Sequence, residues 1–206
     1  EGSGAWTPLS SGPTYAILGI EWLGQRYVAV GGSRPWGPET GLVMLSDDGV
    51  FWETAEVPVS VPLSGVASDG SRIVVVGQGV IVTSDDGETW LESTPIPARM
   101  HDVTWGDGQF VAVGDTGVMP TAVILTSEDG IDWLPSPVST IGGLSGVTWN
   151  GAQYLAVGSG GMLSSQDGIN WDPVPYGTTD ELYDVIWSID RYLVVGENGT
   201  ILVSED

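Results

Sequence analysis

Short apolar runs alternate with glycine- and aspartate-rich turns along the whole chain. Runs such as Tyr27 to Val30 and Ile73 to Val76 are rich in β-branched and aromatic residues and are bounded by turn residues. No segment shows the apolar spacing of three to four residues that indicates an amphipathic helix. The pattern therefore predicts an all-β protein built from short strands.

Two motifs recur in a fixed order. The first is Ser-x-Asp-Gly-x-x-Trp, which is complete in four copies and begins again at Ser204. The second is an apolar residue that leads, 11 positions later, to a Gly at the end of an apolar run, and this interval is the same in five copies. Repeats of 37 to 46 residues with four short apolar runs each are typical of propeller blades. The first motif begins at Ser46, Ser84, Ser127 and Ser165, and the second at Ile20, Val66, Val103, Val147 and Val185.

The start of the chain is in phase with the last repeat. The Trp of the first motif precedes the next repeat by 10 or 11 residues, and Trp6 precedes Ile17 by 11. We therefore predict a single domain, a closed five-bladed β-propeller with four-stranded antiparallel blades, in which an N-terminal strand closes the last blade. The predicted blades comprise residues 17–56, 57–94, 95–137, 138–175, and 176–206 together with 1–10.

The aspartates of the first motif are predicted to be structural. A carboxylate at this position can accept hydrogen bonds from backbone N–H groups of its own turn, and the following Gly supplies the positive φ of a tight hairpin. Five equivalent positions rarely share one catalytic chemistry. The residues concerned are Asp48, Asp86, Asp129, Asp167 and Asp206.

The segment from Ser46 to Trp52 and its copies resemble the Asp-box, or BNR, repeats of sialidases, sortilin-type receptors, some endoglucanases and photosystem II assembly factors. The resemblance implies a β-propeller and leaves the function open, because those families include hydrolases, receptors and assembly factors. Sialidases hold the carboxylate of their substrate with three arginines. Here Arg26, Arg72 and Arg191 precede the second strand of their repeats, on the face away from the longer loops, which argues against a sialidase mechanism.

The net charge of the chain restricts the classes of partner that it can bind. Among 206 residues, 27 are acidic and 5 are basic, which gives a formal net charge of -22. Nucleic acid and anionic membranes should be repelled, so we expect a neutral or cationic glycan or protein segment as partner. We also expect a monomer, and the acidic surface favours an extracytoplasmic or secreted protein, although the sequence shows no signal peptide.

We expect no cofactor and no metal. The absence of Cys excludes a thiolate site. Acidic pairs such as Asp180 and Glu181 raise the alternative of Ca²⁺, but their spacing matches no calcium loop.

Residues that depart from the repeat are the candidates for ligand binding. The loops after the second and fourth strands share one face of the predicted disc, called the loop face, whereas the turns of the first motif lie on the opposite box face. Aromatic side chains stack well on sugars and peptides. Our leading hypothesis is therefore a non-catalytic binding module or interaction scaffold that uses its loop face. The candidate ligand-binding residues are Tyr15, Arg34, Trp36, His101, Tyr176 and Tyr183.

Two alternatives remain open. Asp102 and Asp184 stand where the other repeats have Gly, at the start of the innermost strand, and they could face each other as the catalytic carboxylates of a glycoside hydrolase that acts on polysaccharides. Capping of loop backbone would explain them equally well. His101 beside Asp102 could be a base or a metal ligand. The other alternative is a structural or assembly unit without a ligand of its own.

Overall fold

The computed structural model describes residues 15–32, 40–93, 96–117, 119–138, 140 and 142–204. These residues form strands and turns, with a single short 3-10 turn at Glu197–Gly199 among them. No helix in these ranges is long and apolar enough to cross a membrane.

The strands form five separate antiparallel sheets, here called blades one to five in chain order, and neighbours in each sheet follow the order of the chain. The predicted all-β class and five antiparallel blades are confirmed. Four blades have four strands, and within the described residues the fifth has three. Blade one contains β1 (Ala16–Trp22), β2 (Tyr27–Gly32), β3 (Gly41–Ser46) and β4 (Glu53–Ala55); blade two β5 (Leu63–Ser68), β6 (Ile73–Gly77), β7 (Ile81–Ser84) and β8 (Leu91–Glu92); blade three β9 (Arg99–Gly106), β10 (Gln109–Asp115), β11 (Ala122–Ser127) and β12 (Leu134–Ser136); blade four β13 (Gly146–Trp149), β14 (Tyr154–Gly158), β15 (Gly161–Ser165) and β16 (Asp172–Pro173); and blade five β17 (Leu182–Ser188), β18 (Arg191–Gly196) and β19 (Ile201–Val203).

The core consists of layers between neighbouring blades. Side chains alternate between the two faces of a strand, so one face of each middle strand packs on the preceding blade and the other on the following blade. In blade two, for example, Val75 belongs to the layer shared with blade one, and Val74 and Val76 belong to the layer shared with blade three. Continuous apolar runs in the second strands follow from this burial on both faces.

The first strand of each blade is the innermost one. Successive first strands pack against each other from β1 through β5, β9 and β13 to β17, and together they line a central channel. The chain enters each of these strands from the loop face, so residues near the start of each strand lie at the loop-face mouth of the channel.

The seam between blade five and blade one differs from the four interior layers. Ile20 is 61% exposed, although the equivalent Val66, Val103, Val147 and Val185 are buried. On blade five, Ile201 is 69% exposed, whereas the equivalent Ile81 and Ile124 are fully buried. The face of blade one away from blade two nevertheless carries the buried Ala29, Leu42 and Met44, so the seam is only partly exposed. The predicted closing strand at residues 1–10 lies outside the described residues, so closure of the ring stays a prediction.

Candidate binding site at the channel mouth

The Ser-x-Asp-Gly-x-x-Trp turns on the box face use the polar groups of the motif internally. In the first turn, Asp48 Oδ1 accepts hydrogen bonds from the N–H groups of Val50 and Phe51 at 2.8 and 2.9 Å. The Gly49 N–H donates to Ser46 Oγ, and Gly49 has a φ of 72°. The turns that contain Asp86, Asp129 and Asp167 repeat these bonds. Asp206 lies outside the described residues.

The motif tryptophans close the turns by a hydrogen bond and pack their rings on the cores of the blades. In each described turn the indole Nε1–H donates to the carbonyl of the motif Gly, as Trp90 does to Gly87 at 3.1 Å. Backbone N–H donors favour the ionised carboxylate and hold the pKa of Asp86 at about 2. The pKa values of Asp48, Asp129 and Asp167 are lowered for the same reason. The hydrogen bonds of these carboxylates are therefore made within their own turns.

A cavity of about 590 Å³ occupies the channel at its loop-face mouth, and the first strands of all five blades contribute to its wall. The outermost layer of this wall holds one residue from each blade at the same repeat position. His101 and Tyr183 belong to this layer, so the structure brings these two sequence candidates into one cavity. The full layer is Leu18, Ser64, His101, Ser145 and Tyr183.

Asp102 and Asp184 line the same cavity. Both oxygens of the half-buried Asp102 carboxylate accept backbone hydrogen bonds, Oδ1 from Val103 at 2.8 Å and Oδ2 from Val147 of the next blade at 2.9 Å. Asp184 accepts the equivalent bond from its own neighbour Val185 at 2.8 Å. Burial raises the pKa of Asp102 to about 7, and the negative charges of Asp184 and Glu21 act in the same direction, against the effect of the two N–H donors.

The glycines next to these aspartates explain the alternation seen in the sequence. A Cβ atom on Gly65 would lie 2.8 Å from the Asp102 Cα, and one on Gly146 would lie 3.0 Å from the Asp184 Cα. Each aspartate thus stands beside a blade whose equivalent position must be Gly. Packing therefore explains the glycines at this position, and what the two carboxylates add is hydrogen bonding to neighbouring backbone N–H groups.

Glu21 is a cavity residue that the sequence analysis missed. It lies on the wall at the repeat position filled by Thr104, Thr148 and Ile186 in other blades. The surrounding channel removes its carboxyl group partly from bulk water, and this desolvation raises its pKa. The sequence signal that could have identified Glu21 is a carboxylate at a position that is uncharged in the other repeats.

His101 is oriented by a partner that sequence reasoning also missed. Its Nε2 atom lies 2.7 Å from Oδ2 of Asp115 at the end of β10. Partial burial would raise the pKa of Asp115, but the hydrogen bonds from His101 and from the Gly117 N–H outweigh it and hold the pKa below its usual value. Because an ionised carboxylate only accepts hydrogen bonds, Nε2 carries the proton in this pair.

The other aromatic candidates are placed differently. Tyr183 is 49% exposed on the cavity wall. Tyr15 instead packs against the core of blade one, and Tyr176 packs against the layer between blades four and five. Arg34 and Trp36 lie outside the described residues. No group of three or more potential metal ligands converges within the described ranges.

No protein-family model and no curated protein sequence matches this chain, but solved structures share its architecture. The YCF48 protein from Cyanidioschyzon merolae has a TM-score of 0.66 and 17% identity, over 94% of this chain and 67% of its own. The WD40 β-propeller domain of Doa1 has a TM-score of 0.68 and 10% identity, over 93% of this chain and 66% of its own. A chain of a nidogen/laminin complex has a TM-score of 0.68 and 15% identity, over 89% of this chain and 73% of its own. At these identities the likeness shows the fold, which is a β-propeller.

Proposed function

We propose that this protein is a non-catalytic interaction module whose channel mouth on the loop face binds a neutral or cationic glycan or protein segment. The observation that carries the proposal is the cavity of about 590 Å³, which combines the exposed ring of Tyr183 with the carboxylates of Glu21, Asp102 and Asp184. Its described wall contains neither Lys nor Arg. The carboxylates of Glu21 and Asp184 can accept hydrogen bonds from sugar hydroxyls or from an ammonium group, whereas both Asp102 oxygens already accept backbone hydrogen bonds. The aromatic face of Tyr183 can stack on the ligand.

The acidity of the whole chain supports the preference for such ligands. A net charge of -22 attracts cations toward a cleft lined by carboxylates and repels anionic polymers. Arg34 and Trp36 stand between β2 and β3 in the sequence, and we propose that they contribute to the same site.

The proposal is tested by alanine at Tyr183, with Leu134→Ala as the control. Leu134 is exposed on the outer strand β12, far from the channel wall. We expect Tyr183→Ala to weaken binding on an array of neutral glycans and basic peptides, and Leu134→Ala to leave it unchanged. Equal effects of the two variants, or no effect of Tyr183→Ala, would exclude this site.

The first alternative is a polysaccharide hydrolase that uses Asp102 and Asp184. Their common cavity and the raised pKa of Asp102, which suits a general acid, favour it. The hydrogen bonds that two backbone N–H groups donate to Asp102 disfavour the hydrolase, because they occupy the oxygens that would face a substrate. Release of reducing ends that is abolished by Asp184→Asn would support the hydrolase, and activity that survives the substitution would remove this pair.

The second alternative is an assembly unit that needs no ligand. The regular bonds between its blades favour a purely structural role; Gln109, for example, donates to the Asp167 carbonyl of the next blade at 2.7 Å. Retention of a partner complex by Tyr183→Ala and Asp184→Asn together would favour this role over binding at the channel.

We also propose that the motif turns are Asp-box turns and that residues 1–10 complete blade five. In the described blades, the residue after the box Trp pairs with the residue before the motif Ser, as Leu134 does with Thr126 and Asp172 with Ser164. The same register would place Thr7 opposite Val203. Pro8 then falls at the position of Pro135 and Pro173, which an outer strand tolerates.

A further inference from the structure

A second large cavity lies on the box face, between the first two motif turns. It measures about 650 Å³ and is bounded by the end of β3, the first box turn, β4, and the box turn of blade two; we call it the blade-one groove. Grooves at the equivalent places of blades two and four measure about 260 and 360 Å³. A groove at this place is a feature of the repeat, but the groove of blade one is larger than those of blades two and four.

Phe51 distinguishes the blade-one groove chemically. Its side chain is 78% exposed, and the equivalent residues are the polar Thr89, Asp132 and Asn170. Its backbone is held in place, because the Phe51 N–H donates to Asp48 and the neighbouring Trp52 donates to Gly49 at 3.2 Å. An aromatic ring on a rigid turn loses little conformational entropy when a partner covers it.

The charges around Phe51 are almost entirely negative. The one basic residue of the lining, Arg26, is held by Asp47 through a 2.7 Å bond from its Nε atom. The carboxylate of Asp48 is occupied by its own turn. The same groove is lined by three exposed glutamates, Glu53, Glu56 and Glu88. The hydrogen bond to Asp47 raises the pKa of Arg26, and the charges of Glu88 and Glu53 contribute to raising it.

We propose that the blade-one groove docks a basic segment of a partner protein, with a Lys or Arg side chain over the ring of Phe51 and its charge among the three glutamates. A cation placed over an aromatic ring is attracted by the ring and, here, by the surrounding carboxylates as well. The groove lies on the face opposite the channel mouth, so the protein has two independent surfaces and can bridge two partners.

The test measures binding of a labelled Lys-rich decapeptide by fluorescence anisotropy at about 0.15 M salt, where long-range attraction is screened beyond about 8 Å. We expect Phe51→Ala to weaken binding about fivefold, as loss of a cation–aromatic contact does, and Phe51→Trp to retain it. We expect Glu53→Gln to weaken binding by a similar factor, since it removes a charge from the same place.

Asp172→Asn is the matched control, because Asp172 has the repeat position of Glu53 in the smaller groove of blade four. It should change binding less than about twofold, as an exposed charge distant from the ligand does. If Asp172→Asn weakens binding as much as Glu53→Gln, or if Phe51→Ala has no effect, the attraction is diffuse and the proposal is overturned. Tyr183→Ala should leave this binding unchanged, which separates the groove from the channel site. Melting curves of each variant establish that it is folded.

Discussion

Asp102 Oδ2 in blade three accepts a hydrogen bond from the Val147 N–H of blade four at 2.9 Å. The two innermost strands that meet here, β9 and β13, belong to different sheets and share no ladder hydrogen bonds. One side chain therefore joins two blades by a polar contact at the wall of the channel, and it does so with a carboxyl group whose pKa is about 7.

Replacement of Asp102 by Asn should alter how stability depends on pH. The folded state raises the pKa of Asp102 from its ordinary value of about 4 to about 7, so it binds the proton more tightly than the unfolded chain does. The contribution of this group to stability is present below pH 4 and is lost as the pH rises to 7. We expect the melting temperature of Asp102→Asn, relative to that of the natural chain, to increase between pH 4.5 and pH 7.5. A relative decrease of the melting temperature would mean that the hydrogen bonds from the two N–H donors lower the pKa of Asp102 more than burial raises it.

The aspartates of the Ser-x-Asp-Gly-x-x-Trp turns should contribute stability that is lost as the pH falls, opposite to the behaviour of Asp102. Hydrogen bonds from Thr89 and Glu88 hold the pKa of Asp86 at about 2, so its contribution is present above pH 4 and is lost as the pH falls toward 2. Asp86→Asn should melt at a lower temperature than the natural chain at pH 6, and the difference should shrink on acidification to pH 2.5. Glu92→Gln, an exposed substitution on β8, should follow the natural chain; a constant difference for Asp86→Asn would contradict the assignment.

Ile189 is a site at which stability can be gained. It turns from β17 to β18 with a φ of 60°, which is costly for a β-branched residue, and three other blades have Gly at this position. Its side chain is 95% exposed, so little packing is lost on replacement. We expect Ile189→Asn to raise the free energy of unfolding by about 1 kcal/mol in urea titrations. Ile189→Val keeps the branched side chain and should give no gain, and a loss of stability in Ile189→Asn would show that the side chain is covered.

The closure of blade five can be tested with disulfides, because the chain has no Cys of its own. In Thr7→Cys/Val203→Cys, the proposed register brings the two thiols to directly opposed positions, within reach of a disulfide. We expect a disulfide within one chain, detected as faster migration on a non-reducing gel. Thr7→Cys/Leu91→Cys, with the second thiol on the outer strand of blade two, should form none. Dimers linked between chains would show instead that the N-terminal segment pairs with another copy.

The repeat made the fold predictable, because a constant spacing of apolar runs and turns determines where each strand begins and which faces are buried. The candidate sites were predictable only in part. His101, Asp102, Asp184 and Tyr183 were found as departures from the repeat, and they meet in one cavity. Glu21 and Asp115 were missed. Glu21 had a sequence signal, a charge at a position that is uncharged in the other repeats. Its place on the channel wall and the contact of Asp115 with His101 depend on distances between strands, which a single sequence does not contain.

Phe51 is a surface residue whose importance could likewise not be predicted from the sequence. It occupies one of the variable positions of the motif, so the sequence analysis did not single it out. Its role depends on the width of a groove between two blades, and this width follows from how the blades pack. Tyr15 and Tyr176 show the converse, since both are aromatic loop residues by sequence and both pack on the core in the structure.

Completion of blade five by residues 1–10, as proposed above, would have a consequence for local opening of the fold. Blade three packs between two blades whose strands are continuous in the chain, whereas blade five would join the two ends of the chain. Because chain ends open most readily, local opening should begin at blade five. Amide hydrogens of β10 should then exchange with solvent last, and those of β18 earlier.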